Sequence, residues 1–226
     1  MSRASRYFIP MGLVLVLAAV VSRTGAHASD KTAAIPAPAV DAQLAPGELQ
    51  TAVFSGGCFW GVQAVFQHVK GVKSATSGYT GGAASTAHYE IVSTGETGHA
   101  ESVEVKYDPS KVTYGELLRV FFSVAHDPTE LNRQGPDEGT QYRSMISYTN
   151  EEQKKIAQAY IAQLEGAKVF SGKIVTEVVP LKAFYAAEGY HQDYAELHPN
   201  NPYIAINDAP KVTHLKQQLP ELYRDR

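Results

Sequence analysis

The spacing of apolar and polar residues changes along this 226-residue chain, and each change marks an element. Alternation is cleanest over 100–108, AESVEVKYD. It predicts a strand with Glu101, Val103, Val105 and Tyr107 on one face and Ser102, Glu104 and Lys106 on the other. Upstream, LQTAVFSGG (49–57) is a short apolar strand ending in glycines. From Cys58 the spacing turns helical, with Phe59, Val62, Val65, Phe66 and Val69 along one stripe. The next stretch, VKSATSGYTGG (72–82), reads as a strand running into a glycine turn.

After the alternating strand, Thr113 and Glu116 form a capping box. Leu117, Leu118, Phe121, Phe122 and Ala125 then make an apolar helical stripe that Pro128 ends. RQGPDEGTQYRS (133–144) is a polar, glycine-rich loop leading into the strand RSMISYT (143–149). A second capping box, Thr149 to Glu152, opens a helix over 151–165, and KIVTEVVPL (173–181) is a further strand. Residues 184–226 are irregular and aromatic-rich, with a short helix near 212–219. Strands alternating with helices, and at least one antiparallel hairpin, favour an α/β two-layer sandwich of one mixed sheet covered by helices.

The N-terminus stands apart. Arg3 and Arg6 precede an apolar run from about Phe8 to Val21, and AHA follows at 26–28. This is the pattern of a secretory signal peptide cleaved near Ala28, which places the protein in a secreted or periplasmic compartment. The run is short for a membrane span, so an uncleaved anchor is the lesser reading. Residues 29–48, rich in Ala and Pro, form a flexible lead-in, and one domain occupies 49–226. The 198 residues after Ala28 hold 17 basic and 23 acidic side chains, a formal charge of −6. That balance excludes a nucleic-acid-binding surface and leaves no contact with the membrane after cleavage.

Composition leaves one thiol, Cys58, beside the only tryptophan, Trp60. A lone cysteine makes no internal disulfide, so it is an inert core residue, an intermolecular bridge or a reactive group. At a strand-to-helix turn, in the first helical turn, unpaired N–H groups and the helix dipole favour thiolate. Glu101 shares the apolar face of its strand. If that face is the core face, burial raises its pKa and permits a general acid near neutrality; if the strand end is open, the carboxylate reaches solvent. Tyr79 and Tyr142 lie beside glycine or loop residues, where a hydroxyl can meet a ligand oxygen or lie at the core edge. The histidines offer no metal-ligand spacing, and no metal is expected. A Cys–His hydrolase or acyltransferase and a non-catalytic secreted module remain open alternatives.

The ordered set GGCFWG, GYTGG, TGHAE, YDP, HDPT, GTQYRS and YHQDY, from about Thr51 to Pro202, resembles the peptide methionine sulfoxide reductase A family. The resemblance implies a ferredoxin-like sandwich. It implies that Cys58 attacks the sulfoxide sulfur of protein-bound or free methionine-S-sulfoxide and is left as a sulfenic acid. It gives Glu101 as the acid, Tyr79 and Tyr142 as holders of the oxygen, Phe59 and Trp60 as walls for the methyl group, and Asp137 as an acidic residue near the site. No bound cofactor is implied. Many members carry further cysteines near the C-terminus, and this chain has none. Its sulfenic acid therefore needs an external thiol, thioredoxin-like, glutaredoxin or glutathione, or dithiothreitol in vitro. A monomer is expected.

Overall fold

The computed structural model describes Met1 and residues 35–226, so the expected signal peptide over 1–28 lies outside the described residues apart from Met1. In chain order the first elements are β1 (Gln50–Ser55), α1 (Phe59–Gln67), β2 (Val72–Thr80), the short α2 (Tyr89–Val92), β3 (Ala100–Tyr107) and α3 (Tyr114–Val120). There follow β4 (Arg133–Gln134), β5 (Asp137–Glu138), β6 (Met145–Tyr148), α4 (Glu151–Gly166), β7 (Glu177–Pro180), β8 (Phe184–Ala186), α5 (Tyr194–Leu197) and α6 (Ala209–Gln218).

Six strands form one mixed sheet in the order β7-β6-β1-β3-β2-β8. The inner four, β6-β1-β3-β2, are antiparallel, with α1 and α3 as the connections between β1 and β2 and between β3 and β6. That is the ferredoxin-like order, extended by β7, parallel to β6, and by β8, antiparallel to β2. The strands β4 and β5 pair separately as a small hairpin.

The alternation in β3 holds as the sequence predicts. Val103, Val105 and Tyr107 point into the core, and Glu101 is buried with them. The core is aromatic at its centre. Phe54 of β1 stacks on Phe66 of α1 at 4.9 Å and on Phe121 at 5.0 Å, geometry that adds to the burial of large apolar rings. The capping box at Thr113 and Glu116 is formed in both directions. The second one is displaced by one residue. Asn150, not Thr149, caps α4 by accepting from Gln153 N–H at 2.9 Å, and Gln153 Oε1 accepts from Thr149 N–H. Asn is as good a cap as Thr, and its position sets the start of the helix. The helix after Thr113 loosens into a π-turn over Phe121–Ala125 before Pro128.

The described part of the expected lead-in, 35–48, has no helix or strand, yet it is held at several points. Ile35 is buried, Tyr160 donates to Pro36 O at 2.7 Å, and Asp41 accepts from Gly115 N–H at 2.7 Å and from the Thr113 hydroxyl. The tail is more ordered than the sequence suggests. It supplies β8 to the sheet edge, and α6 begins at Ala209, earlier than expected. Leu215, Leu219 and Leu222 enter the core, and Arg224 N–H returns to His68 O at 2.8 Å, so the last residues close over the end of α1.

Thr113→Ala removes the cap of α3 and one contact to Asp41. Unfolding free energy by urea denaturation should fall by about 1–2 kcal/mol; a change of only a few tenths would show that the cap carries no stability.

Candidate active site

The loop from β1 to α1 sets the site. Gly57 has φ +85°, a left-handed conformation natural to glycine, and a Cβ there would lie 2.5 Å from Gln134 of β4. The chain turns, and Cys58 becomes the N-cap residue of α1. Its thiol is buried, at 8 % exposure. Here the expectation of a favoured thiolate is corrected. Burial, first, and then the carboxyls of Glu101 and Asp208 push the thiol well above its ordinary value; Trp60 N–H and Lys211 pull it down by less. Loss of hydration outweighs the helix end, because one N–H cannot replace bulk water around a thiolate.

Glu101 lies opposite Tyr79 of β2 in the sheet register and is 3 % exposed. Its Oε2 accepts the Phe59 backbone N–H at 3.0 Å. The carboxyl of β3 is thus tied to the first turn of α1, beside the residue that bears the thiol. Burial drives its pKa from the ordinary 4.5 up to about 8, with help from Asp137 and Asp208, while the Phe59 N–H opposes the rise. Of the two alternatives left open by the alternation, the inward one is observed.

Around this pair stand aromatic residues from four segments. Phe59 is buried at 1 % exposure against Tyr79 at 5.8 Å and His191 at 5.0 Å. Trp60 is half-buried. It stacks on Tyr194 at 3.9 Å, and its Nε1–H donates to His191 Nδ1 at 3.2 Å. Tyr142, at the end of the turn Thr140–Tyr142, and Asp137, on β5, close another side. The Tyr142 hydroxyl is raised by burial and then by Glu101 and Asp137. Asp137 accepts from the Tyr203 hydroxyl, and burial raises it. Phe59, Trp60, Tyr142 and Asp137 are therefore gathered around Cys58 and Glu101.

Tyr79 differs. Its ring is fully buried, and its hydroxyl donates to Glu188 Oε2 at 2.9 Å, which occupies the group expected to meet a substrate oxygen. The hydroxyl in reach of the centre is instead that of Tyr89. That side chain is half-buried, packs on His191 at 4.5 Å, and is raised by burial and then by Glu101 and Cys58. Glu188 joins the two tyrosines, since its other oxygen accepts Tyr89 N–H at 3.0 Å. Tyr89, Tyr203, Glu188 and His191 escaped sequence reasoning. Tyr89 sits in the polar run TAHYE and Tyr203 in the irregular tail; YHQDY, which holds His191, was the one available signal.

Among the described residues no group of three or more His, Cys, Asp or Glu side chains is arranged to hold a metal ion, and no helix is long and apolar enough to cross a membrane.

Residues 50–222 match the family model described as peptide methionine sulfoxide reductase. A peptide methionine sulfoxide reductase MsrA 2 of Mesorhizobium japonicum is 63% identical over 83% of this chain and 95% of its own length. One of Synechocystis is 53% identical over 81% and 87%. Among solved structures, methionine sulfoxide reductase A of Corynebacterium diphtheriae aligns with a TM-score of 0.60 at 36% identity, covering 68% of this chain and 76% of its own. Reduced Mxr1 of Saccharomyces cerevisiae gives 0.63 at 31%, covering 72% and 92%.

The raised pKa of Glu101 links stability to pH. The folded state holds this proton more tightly than the unfolded chain, so the contribution is fully present below about pH 4.5 and is lost as pH rises through about 8. Glu101→Gln should flatten the pH dependence of the denaturation midpoint across that window. The same slope in both proteins would mean that Glu101 ionises as an ordinary surface carboxyl.

Proposed function

The chain belongs to the peptide methionine sulfoxide reductase A family, and from this premise we propose that Cys58 reduces methionine-S-sulfoxide with Glu101 as the acid. The protein is an oxidoreductase that acts on methionine sulfoxide, and its reaction repairs oxidised methionine. The observation that carries the residue assignment is the Phe59 N–H to Glu101 bond, which fixes a buried, protonated carboxyl one residue from the chain's sole thiol.

The sulfoxide enters with its methyl group against Phe59 and Trp60 and its oxygen toward Glu101, Tyr142 and Tyr89. The Cys58 sulfur bonds to the sulfoxide sulfur as the thiol proton leaves, and the oxygen takes the Glu101 proton. The oxygen then passes to the Cys58 sulfur, and the methionine sulfur leaves as a thioether. Cys58 is oxidised by two electrons and the methionine sulfur is reduced by two. The proton given up by the thiol equals the one delivered to oxygen, so Glu101 returns neutral. A carboxyl at about 8 suits this role, because it is protonated at neutral pH yet close enough to its pKa to give the proton up. Asp137, held by Tyr203, keeps negative charge near Glu101 and so supports its protonated form.

Regeneration requires an external thiol. One thiol attacks the sulfenic sulfur, forms a mixed disulfide and releases water; a second thiol frees Cys58. A thioredoxin-like dithiol, glutaredoxin with glutathione, or dithiothreitol in vitro meets this chemistry. The basic, apolar and AHA segments of 1–28 support export and action outside the cytoplasm. Nothing in the site favours the hydrolase or the binding module.

Cys58→Ser should abolish turnover of a methionine-S-sulfoxide peptide and leave the fold intact; normal turnover in that variant would remove Cys58 from the mechanism. Single-turnover reduction by the native enzyme should fall as pH rises through about 8, where Glu101 ionises. Glu101→Gln should slow that step by about 10²–10⁴-fold and lose this limb, and an unaltered rate would assign the proton to another group.

A further inference from the structure

The first turn of α1 meets two buried carboxyl groups, Glu101 from β3 and Asp208 from the π-turn Ile204–Asp208 that precedes α6. Asp208 has no exposed surface. It is the N-cap residue of α6, a position where an aspartate ordinarily accepts an N–H of its own helix, yet it makes no such bond. Its carboxylate turns across to α1 instead. A Cβ placed on Gly61 would lie 2.1 Å from Asp208 Oδ1 and 2.8 Å from Lys211 Nζ, so both charged groups rest on the helix backbone where a side chain would otherwise stand. Lys211 donates to Asp208 Oδ1 at 3.2 Å, and Oδ2 has no hydrogen-bond partner. Gly61 lies three residues beyond Cys58, in the first turn of α1. The Asp208–Lys211 pair packs on the first turn of α1, the turn that Cys58 opens, and no role in capping its own helix accounts for it.

We propose that Asp208 and Lys211 are a positioning pair for the nucleophile, a fixed charge couple that governs when the Cys58 thiol gives up its proton. The other ionisable groups that interact with Cys58 are Glu101 from β3, Tyr89 from α2, Tyr142 from its turn and Tyr203 beside the π-turn, and Asp137 from β5 acts on Glu101. Lys211 is the one cation among them, and its side chain is only 18 % exposed. Asp208 acts with burial and Glu101 to keep the thiol neutral. Lys211 acts the other way, on Cys58, Asp137 and Asp208 together. The resting thiol is thereby balanced between two fixed charges of opposite sign.

The inference rests on Cys58 as the nucleophile, but its test does not. Because the chain has one cysteine, the pH midpoint of iodoacetamide alkylation of the full protein reports this thiol whether or not Cys58→Ser loses turnover. Asp208→Asn should lower the midpoint by about one unit and Lys211→Met should raise it by a similar amount, while Lys211→Arg stays near the native value. A pair that only packs moves neither midpoint, or moves both in one direction, and either result overturns the proposal. Should Asp208→Asn fail to fold, the two Lys211 variants decide alone. Lys211→Met without an upward shift, or Lys211→Arg shifted as far as Lys211→Met, overturns it.

Discussion

The bond from Phe59 N–H to Glu101 is the interaction on which the site depends. It joins the two secondary-structure types of the fold at one point, the start of α1 and the inner face of β3. Each end is fixed by its own constraints. Glu101 cannot swing out, because β3 is paired on both sides, with β1 and β2, and its neighbours on that face are core residues. Phe59 cannot shift, because its ring is wedged between Tyr79 and His191. A carboxyl in this position has little water, so its protonation state is decided by a few groups that the fold holds still.

The tail completes what the sheet begins. The sheet and α1 bring the thiol and the acid, but the rings that orient Trp60 come from residues 191, 194 and 203, and the charges that flank Cys58 come from 208 and 211. Leu215, Leu219 and Leu222 in the core explain how an irregular segment can place side chains so definitely. Three apolar anchors oppose the entropy of a long connection. Asp137 and Tyr203, paired across the site, connect this tail to the β4–β5 hairpin and so tie together its two least regular segments.

Much of this was legible from local spacing. Period two in AESVEVKYD puts Glu101 on the apolar face while leaving open whether its carboxyl turns inward, the switch to helical spacing puts Cys58 at a strand-to-helix turn, and the first capping box is present as the sequence predicts. What stayed hidden depends on contacts distant in sequence. Tyr79 and Tyr89 look equally available, and only the position of Glu188, about a hundred residues later, engages one hydroxyl and leaves the other. The rise in the Cys58 pKa has no local signal, because a helix end is visible in sequence and burial of the thiol is not. The edge strand β8 is too short to show a period, and Asp208 resembles an ordinary helix cap until its carboxylate is seen to face away.

Burial of the single thiol also has a consequence for chemical selectivity. Peroxides oxidise thiolates, and a thiol kept neutral reacts with them slowly. On the proposed mechanism, a sulfoxide that reaches the cleft meets a proton source at its oxygen and a sulfur beside it, so it reacts where a diffusing oxidant gains no such help. On that proposal the site distinguishes the damage from the agent that caused it: the oxygen Cys58 accepts most readily is one already carried by a methionine.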